Sequence, residues 1–386
     1  MTELSVARPE DVGLSAEALG RLSSVLAERV ASGHIPGAVA LVARHGKIAY
    51  HEAFGAIAPG GAPMTTDAIF RIYSMTKPIV SVAVMMLWEE GRLLLSDPIA
   101  KYIPAFATMH VGMDKVPASR AITVQDLLRH TSGLTYEFRG SGPVHKAYAD
   151  ARVARLKQTN ADQAETLASL PLLHQPGAHW EYSRSTDVLG RLVEAISGQT
   201  LGAFLSARIL TPLGMTDTAF SVPEHDHARI AEPFANDPEG GAAVALLDVK
   251  RTAMFESGGG GLVGTSMDYA RFCAMLANNG RLGEVRLLGR KTIELMTSDH
   301  LGHVPSNPDL LPPGHGFGLG FAVRTSAGMA PFPGSVGNYY WSGAAGTSFW
   351  VDPAERLYAV LMIQAPVQRE YYRLLFRDLV YAAVTD

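Results

Sequence analysis

Several features that define other classes of protein are scarce or missing in this sequence. Its 386 residues contain a single cysteine, Cys273, which excludes an intrachain disulfide and lies in an apolar run that predicts a place in the core. No uncharged stretch approaches the roughly 18 residues of a membrane helix, and the first residues lack the basic and apolar regions of a signal peptide. We therefore expect a cytoplasmic protein with no membrane partner.

Clustered basic charge is missing as well. The chain has 33 lysines and arginines against 37 aspartates and glutamates, a net charge of -4, and the cations are scattered along it. Because no basic patch is present to attract phosphates, nucleic acid is not an expected partner. The densest histidine cluster, His225 with His227, has no third ligand at a regular offset, and H-E-x-x-H is absent, so no metal site is predicted.

Two enzyme motifs exclude particular functions, one through its sequence context and the other through its absence. Residues 259–264 match the dinucleotide fingerprint G-x-G-x-x-G, but no parallel strand leads into them and no alternating βα pattern surrounds them. We therefore expect no nucleotide or other cofactor. The G-x-S-x-G elbow is absent, which argues against an α/β-hydrolase.

What is present is the composition of a large globular protein, with 47% hydrophobic and 18% charged residues. Periodicity of apolar residues predicts strands and helices toward both ends of the chain. The strands are 38–43 and 47–54, joined by a turn at 44–46, and later 318–323, 347–351 and 356–363. The helices are 14–32, 74–90, 267–278 and 370–384.

The middle of the chain has a different pattern, in which long connectors rich in proline, glycine and histidine separate short helices. The predicted helices are 123–129, 161–170, 186–197 and 201–209. We therefore predict an α+β fold, an antiparallel β-sheet flanked by N- and C-terminal helices and interrupted by a mostly helical subdomain. Residues 1–92 and 251–386 form the predicted sheet domain and residues 93–250 the subdomain, with the active site at the interface.

The strongest local signal for chemistry is the pair Ser74 and Lys77 at the start of a predicted helix. Residues three apart lie on one helix face, so the hydroxyl and the amine can meet. The helix N-terminus also favours the negative charge that develops when a carbonyl is attacked. The pair is half of an acyl-transfer site, whereas the alternative interpretation is a serine N-cap beside a solvated lysine.

A serine and a lysine need a third polar group, since the lysine acts as a base only after losing its proton. Tyr182 is the candidate, because it follows the connector 175–177 and immediately precedes the helix predicted near residue 186. A phenol held between cations can share the work of the base as tyrosinate. The alternative is a half-buried tyrosine that only packs.

Six motifs in this order resemble the serine β-lactamase-like superfamily. They are S-M-T-K at 74–77, H-T-S-G-L at 130–134, P-G at 176–177 followed by Y-S at 182–183, the glycine-rich stretch 258–265, G-F-G-L-G at 316–320 and W-S-G at 341–343. Six ordered motifs are far more specific than any one of them. The chain looks most like the family VIII carboxylesterases, which share the fold of class C β-lactamases and penicillin-binding proteins.

This resemblance implies the roles of the site residues. Ser74 is implied as the nucleophile, Lys77 as the group that assists its deprotonation, and Tyr182 as the general base in acylation. The backbone N–H groups of Ser74 and of Ala344 are implied as the oxyanion hole, and Ala344 is implied to lie on an edge strand. The glycines at 258–265 are implied to let a strand approach the serine helix, and water is implied to hydrolyse the acyl-enzyme.

Two departures from the β-lactamase pattern bear on the substrate. Trp341 stands where the strand motif begins with lysine, and Arg184 where asparagine is usual. Because an indole cannot pair with a carboxylate, we expect weak recognition of β-lactams and a preference for apolar acyl or alcohol groups. Arg184 is expected to replace part of the lost charge. With Tyr136 and Gly343 these residues form the predicted substrate-binding set, around a pocket of limited depth for short-chain esters.

The sequence therefore predicts a serine carboxylesterase whose partner is a small-molecule ester. The alternatives left open are an acyltransferase, which passes the acyl group to another acceptor, and a β-lactamase, amidase or D-aminopeptidase on the same scaffold. A binding module without turnover is a further alternative of a different class. Retention of Ser74, Lys77 and Tyr182 in one chain argues against the non-catalytic alternative.

Overall fold

The computed structural model describes residues 4–386, which contain one large antiparallel sheet and three two-stranded ones. The strands are β1 Gly37–Arg44, β2 Lys47–Gly55, β3 Phe70–Arg71, β4 His110–Val111, β5 Val116–Pro117, β6 Val263–Gly264, β7 Arg281–Leu282, β8 Val285–Arg286, β9 His315–Phe317, β10 Ala322–Arg324, β11 Tyr339–Ser342, β12 Ser348–Asp352 and β13 Leu357–Ile363. The large sheet has the order β2-β1-β13-β12-β11-β10-β9.

Helices precede, interrupt and follow the strands of the large sheet. They are α1 Ala16–Ala31, α2 Thr76–Glu89, α3 Val124–Leu128, α4 Pro143–Asp150, α5 Asn160–Ala168, α6 Ser185–Ser197, α7 Leu201–Leu205, α8 Thr211–Leu213, α9 Ser266–Ala277, α10 Arg290–Met296 and α11 Arg369–Tyr381. A 3-10 turn, Tyr73–Met75, leads into α2. Within residues 4–386, no helix combines the length and the apolarity needed to cross a membrane.

The first hairpin joins the two ends of the chain in one sheet. His45 and Gly46 between β1 and β2 both have positive φ, 53° and 76°, which is the backbone of the tight turns that match strand twist. β1 pairs with β2 on one side and with the late strand β13 on the other, both antiparallel. The predicted hairpin is confirmed.

Alternate residues of β1 build the two layers of the core. Ala38, Ala40 and Val42 belong to the cluster that contains α1 and α11, whereas Val39 and Leu41 belong to the larger cluster on the opposite face. Because β1 is buried on both faces, its sequence is a continuous apolar run. The N- and C-terminal helices thus cover one face of an antiparallel sheet, and the predicted α+β class is confirmed.

The larger cluster extends from the sheet into the helical region between residues 93 and 250. α9 lies against β1, β12 and β13, and its residue Cys273 is fully buried, as predicted. α2 packs against α6, and its residues 76–87 are all buried. The serine helix is therefore central to a core that runs through both parts of the chain. The division into two domains at residues 93 and 250 stays a prediction.

The structure corrects the strand predicted over 318–323. β9 ends at Phe317 and β10 begins at Ala322, so the residues between them form the connection of two antiparallel strands. Gly320 has a φ of +103°, which an extended strand cannot contain, and it packs against Ser81 of α2. The apolar residues at 318–323 predict a strand wrongly, because the glycines among them serve a turn and a close contact.

Gly320→Ala is expected to destabilise the protein by about 3 kcal/mol, since positive φ disfavours a Cβ and the added atom would lie 2.4 Å from Ser81 Oγ. Gly328→Ala is the matched control, because Gly328 also has positive φ (+71°) but faces open space. We expect the control to cost about 1 kcal/mol. Urea unfolding of both variants measures the difference, and equal costs would contradict this packing.

Candidate active site

Ser74 lies in the 3-10 turn that precedes α2, one turn earlier than the α-helix itself begins. Tyr73 before it has a φ of +43°, an uncommon conformation for a residue with a side chain. The hydroxyl of Tyr73 accepts a hydrogen bond from the Leu247 backbone N–H at 2.9 Å, which helps to hold this conformation. The turn leaves Ser74 partly exposed at the wall of a large cavity.

Lys77 is almost completely buried, with 1% of its surface exposed. Its Nζ donates to Ser74 Oγ at 3.2 Å, to Tyr136 Oη at 3.0 Å and to the Gly259 carbonyl at 2.6 Å. The contact between Ser74 and Lys77 that the three-residue spacing predicts is therefore present. The other two partners come from distant parts of the chain.

The environment of Lys77 favours the neutral form of its amine. Burial lowers the pKa of Lys77 to about 7, the Asp187 carboxylate acts in the opposite direction, and the Arg184 cation lowers it further. A substantial fraction of the amine is then neutral near pH 7. A neutral amine 3.2 Å from a hydroxyl has the geometry of a general base.

Tyr182 lies beside both residues, as predicted. The Lys77 Nζ is 4.5 Å from the centre of its ring, and its Oη accepts a hydrogen bond from Trp341 Nε1 at 3.1 Å. Burial raises the pKa of the Tyr182 phenol above its usual value, while hydrogen bonds with Ser74 and Trp341 act in the opposite direction. The phenol is therefore protonated near neutral pH.

Tyr136 lines the cavity, as expected, and also contacts Lys77. Its hydroxyl accepts a hydrogen bond from Lys77, and its ring lies 5.3 Å from that of Tyr182. Burial raises the pKa of the Tyr136 phenol well above its ordinary value. No local pattern predicts the contact with Lys77, because 59 positions separate the two residues.

The turn after β11 brings Ala344 toward Ser74. A Cβ on Gly343 would lie 2.4 Å from the Ile72 carbonyl, so this glycine allows the turn to pack against the segment that carries Ser74. Ser74, Gly343 and Ala344 all line the cavity. Ser74 and Ala344, the two residues of the predicted oxyanion hole, are thus brought together at the wall of the cavity.

β11 is not an edge strand of the sheet, which corrects the sequence expectation. It lies between β12 and β10, but β10 pairs only with Tyr339 and Tyr340. Trp341 is therefore paired on the β12 side alone, because β10 is too short to reach it. Its indole is buried and packs on Tyr182 and Phe317, with ring centres 5.1 and 5.4 Å away.

Arg184 does not replace the missing strand lysine as expected. Its side chain borders the cavity but is only 9% exposed, and it pairs with Glu137 at 2.5 Å and Asp187 at 3.3 Å. The guanidinium also lies 4.7 Å from the centre of the Tyr136 ring. Because two carboxylates already neutralise it, Arg184 is a poor partner for a substrate anion.

Asp187 on α6 is a site residue that the sequence reasoning missed. Its carboxylate, with no exposed surface, accepts from the Gly259 N–H at 2.9 Å and from Ser257 Oγ at 2.5 Å. The Gly259 carbonyl in turn accepts from Lys77. The glycine-rich turn thus packs on α6, where a Cβ at Gly258 would lie 2.5 Å from a helix carbonyl. Its later part approaches the serine helix, since the Leu262 N–H donates to Thr76 Oγ1 of α2 just before strand β6.

The cavity has a volume of about 1050 Å³, larger than the pocket of limited depth expected from the sequence. Segments distant in the chain, including residues 247–255, 308–312 and α11, contribute to its walls. Its apolar lining includes Phe138, Phe220, Phe255, Leu310, Phe332 and Trp341. No cluster of three or more metal-ligating side chains is found in residues 4–386.

Asp187→Asn is expected to lower kcat at least about tenfold, because the amide would present a donor where Gly259 N–H and Ser257 need an acceptor. Since the Asp187 charge raises the pKa of Lys77, its loss should also move the acid limb of the pH–rate profile to lower pH. A pH–rate profile of the variant measures both effects.

Asp126→Asn is the matched control, because Asp126 is also a fully buried aspartate that pairs with arginines and binds a helix N-terminus. It lies outside the contacts of Lys77, so its loss should reduce stability and leave the acid limb in place. An acid limb that stays unchanged in Asp187→Asn would show that this carboxylate does not act on the lysine.

Comparison with known proteins places the chain in a family. A family model described as Beta-lactamase matches residues 22–382. Esterase EstB of Burkholderia gladioli is 34% identical over 401 residues, covering 97% of this chain and 98% of that protein. An uncharacterized protein of Mycobacterium tuberculosis is 36% identical over 352 residues, covering 86% of both. The solved structure of EstCE1, a hydrolase with promiscuous acyltransferase activity, has a TM-score of 0.79 at 28% identity and covers 95% of this chain and 99% of that one. These similarities confirm the resemblance inferred from the ordered motifs, and the chain belongs to the Beta-lactamase family.

Proposed function

We propose that this protein is a serine carboxylesterase that hydrolyses small esters through an acyl-enzyme on Ser74. The observation that carries the proposal is the contact between Ser74 Oγ and the buried Lys77 amine at the wall of an open cavity. Similarity over nearly the whole chain to a protein named as an esterase and to one described as a hydrolase supports it.

Acylation begins when the neutral Lys77 amine takes the proton of Ser74 Oγ and the oxygen attacks the ester carbonyl. The negative charge that forms on the carbonyl oxygen is stabilised by the backbone N–H groups of Ser74 and Ala344, which are fixed before the reaction. Collapse of this intermediate breaks the bond to the alcohol oxygen. Water then attacks the acyl-enzyme, and the acid and free Ser74 are released.

The division of proton transfer between Lys77 and Tyr182 follows from their surroundings. The family resemblance implies Tyr182 as the base, but burial raises the pKa of its phenol and lowers that of Lys77. We therefore assign the first proton to Lys77. Tyr182, held by Trp341, donates a proton to the leaving alcohol and regains one from the Lys77 ammonium.

The substrate class follows from the lining of the cavity. Trp341 presents an indole in place of a strand lysine, and aromatic and aliphatic side chains surround it. Such a surface favours the apolar parts of an ester over a β-lactam. Hydrolysis of nitrocefin as efficient as that of a short-chain ester would contradict this assignment.

Acyl transfer is the second candidate function. A cavity of about 1050 Å³ has room for an alcohol acceptor beside an acyl-enzyme, and the similar EstCE1 is described as having promiscuous acyltransferase activity. An acceptor alcohol that increases total product release while lowering the yield of free acid would favour transfer. Comparison of matched esters and amides tests the amidase and D-aminopeptidase alternatives.

Ser74→Ala is expected to reduce hydrolysis of p-nitrophenyl butyrate at pH 8 at least about a thousandfold, because the nucleophile is removed. Release of p-nitrophenol measures the rate. Ser81→Ala is the matched control, since Ser81 is a buried serine of α2, the helix that follows Ser74, and lies outside the cavity lining, so it should retain activity. Equal rates in wild type and Ser74→Ala would refute Ser74 as the nucleophile, and labelling by a fluorophosphonate would test the non-catalytic alternative.

The proposed base predicts the pH dependence of the reaction. The pKa of Lys77 is about 7, so kcat/KM should rise with pH through about 7 and level off above it, as the amine loses its proton. Lys77→Arg should be inactive at every pH up to about 9, because a guanidinium keeps its proton. A profile without an acid limb near pH 7, or an active arginine variant, would contradict Lys77 as the base.

A further inference from the structure

The C-terminal helix α11 presents basic side chains to the cavity. Arg369, Arg373 and Arg377 recur every four residues, so they lie along one helix face, and all three line the cavity. Glu370 is the only carboxylate that pairs with any of them in the described part of the chain. This face of α11 therefore carries an uncompensated positive charge.

The rest of the cavity lining also has more positive than negative side chains. Seven arginines and lysines line its described walls. Without Arg184, which Glu137 and Asp187 neutralise, six remain against three carboxylates, Asp248, Asp309 and Glu370. The chain as a whole has a net charge of -4, so positive charge is concentrated in this cavity. A cavity lined by one sign of charge attracts ligands of the opposite sign.

Arg373 is the member of this set closest to the proposed chemistry. Its Nη2 donates to the Gly343 carbonyl, next to Ala344, and its Nη1 donates to Glu370. Its Nε is buried and has no hydrogen-bond partner among residues 4–386. Burial lowers the pKa of Arg373 to about 10, Glu370 opposes this, and Arg369 contributes to it.

A buried guanidinium N–H without an acceptor is costly, and a ligand that supplies one is bound correspondingly well. Arg139, which also lines the cavity, has a buried Nε without a partner among residues 4–386 too, but Arg373 is the one that donates to the Gly343 carbonyl beside Ala344. Two further arginines of the site are already engaged. Arg184 already pairs with two carboxylates, and Arg377 donates to Asn338 and the Pro333 carbonyl within an aromatic cage.

We propose that Arg373 binds an anionic group of the substrate, so that the preferred substrates are esters that combine an apolar part with a carboxylate. The inference rests on the proposed esterase function and names the substrate class of that same site. A carboxylate bound at Arg373 lies beside the turn that carries Ala344, while the apolar part packs on Trp341. Glu370, with 66% of its side chain exposed, competes with this anion.

Two pairs of closely matched esters test the proposal. The butyrate esters of 3-hydroxybenzoate and 3-hydroxybenzamide differ in charge on the alcohol side, and 4-nitrophenyl hydrogen glutarate and its methyl ester differ in charge on the acyl side. Binding is measured by calorimetry in a Ser74→Ala background, which leaves the esters intact. This readout needs no turnover, so it is separate from the test of the esterase function.

In at least one pair, the anionic ester should bind more tightly than its neutral partner. Arg373→Met should reduce this preference at least about tenfold, since a charge-assisted hydrogen bond is lost. Glu370→Gln should increase the preference a few-fold, because the competing carboxylate is removed. Arg21→Gln, which removes an exposed helix arginine paired with Glu17 far from the cavity, should change neither value.

A structural role of Arg373, in which it only holds the Gly343 carbonyl, predicts equal losses for neutral and anionic esters. Equal losses, or a preference that Glu370→Gln leaves unchanged, would overturn the proposal. If Arg373→Met does not fold, Glu370→Gln alone decides, because it alters an exposed side chain. Hydrolysis by the wild type that depends on Ser74 but shows no anion preference would overturn the inference and leave the esterase function standing.

Discussion

The burial of the Lys77 amine is the constraint on which the rest of this structure depends. An ammonium group in a helix that is buried on all sides loses the hydration that stabilises its charge, and the amine becomes neutral near pH 7. The same burial requires partners for its hydrogen bonds, and these come from Ser74, Tyr136 and Gly259. One group thus explains both the chemistry of the site and the convergence of three chain segments on it.

The packing around α2 maintains this arrangement. α6 supports the helix from the side of the helical region, and its residue Asp187 holds the turn whose carbonyl binds Lys77. On the sheet side, Gly320 and Gly343 allow β-structure to approach α2 and the turn before it more closely than any side chain would permit. The fold therefore holds the proposed nucleophile Ser74 and the proposed base Lys77 in contact, as acyl transfer would require.

The cavity separates two tasks that a single strand lysine would combine. Trp341 supplies an apolar surface and a hydrogen bond to Tyr182, which keeps the phenol in place. Positive charge is supplied instead from α11, whose arginines line the cavity and whose Arg373 donates to the Gly343 carbonyl of the turn after β11. In the proposed function, recognition of a substrate anion is therefore assigned to α11 and not to the turn that carries Ala344.

Short-range patterns in the sequence determined those features that depend on neighbouring residues. The spacing of Ser74 and Lys77 predicts their contact, and positive φ at His45 and Gly46 explains the hairpin. Tyr182 required the order of motifs along the whole chain. Tertiary structure alone decided the contacts of Tyr136, Asp187 and Arg373, and the turn at Gly320, because the partners of each lie tens to hundreds of positions away. Hydrophobic periodicity records which face of an element is buried, but not which distant polar group it will meet there.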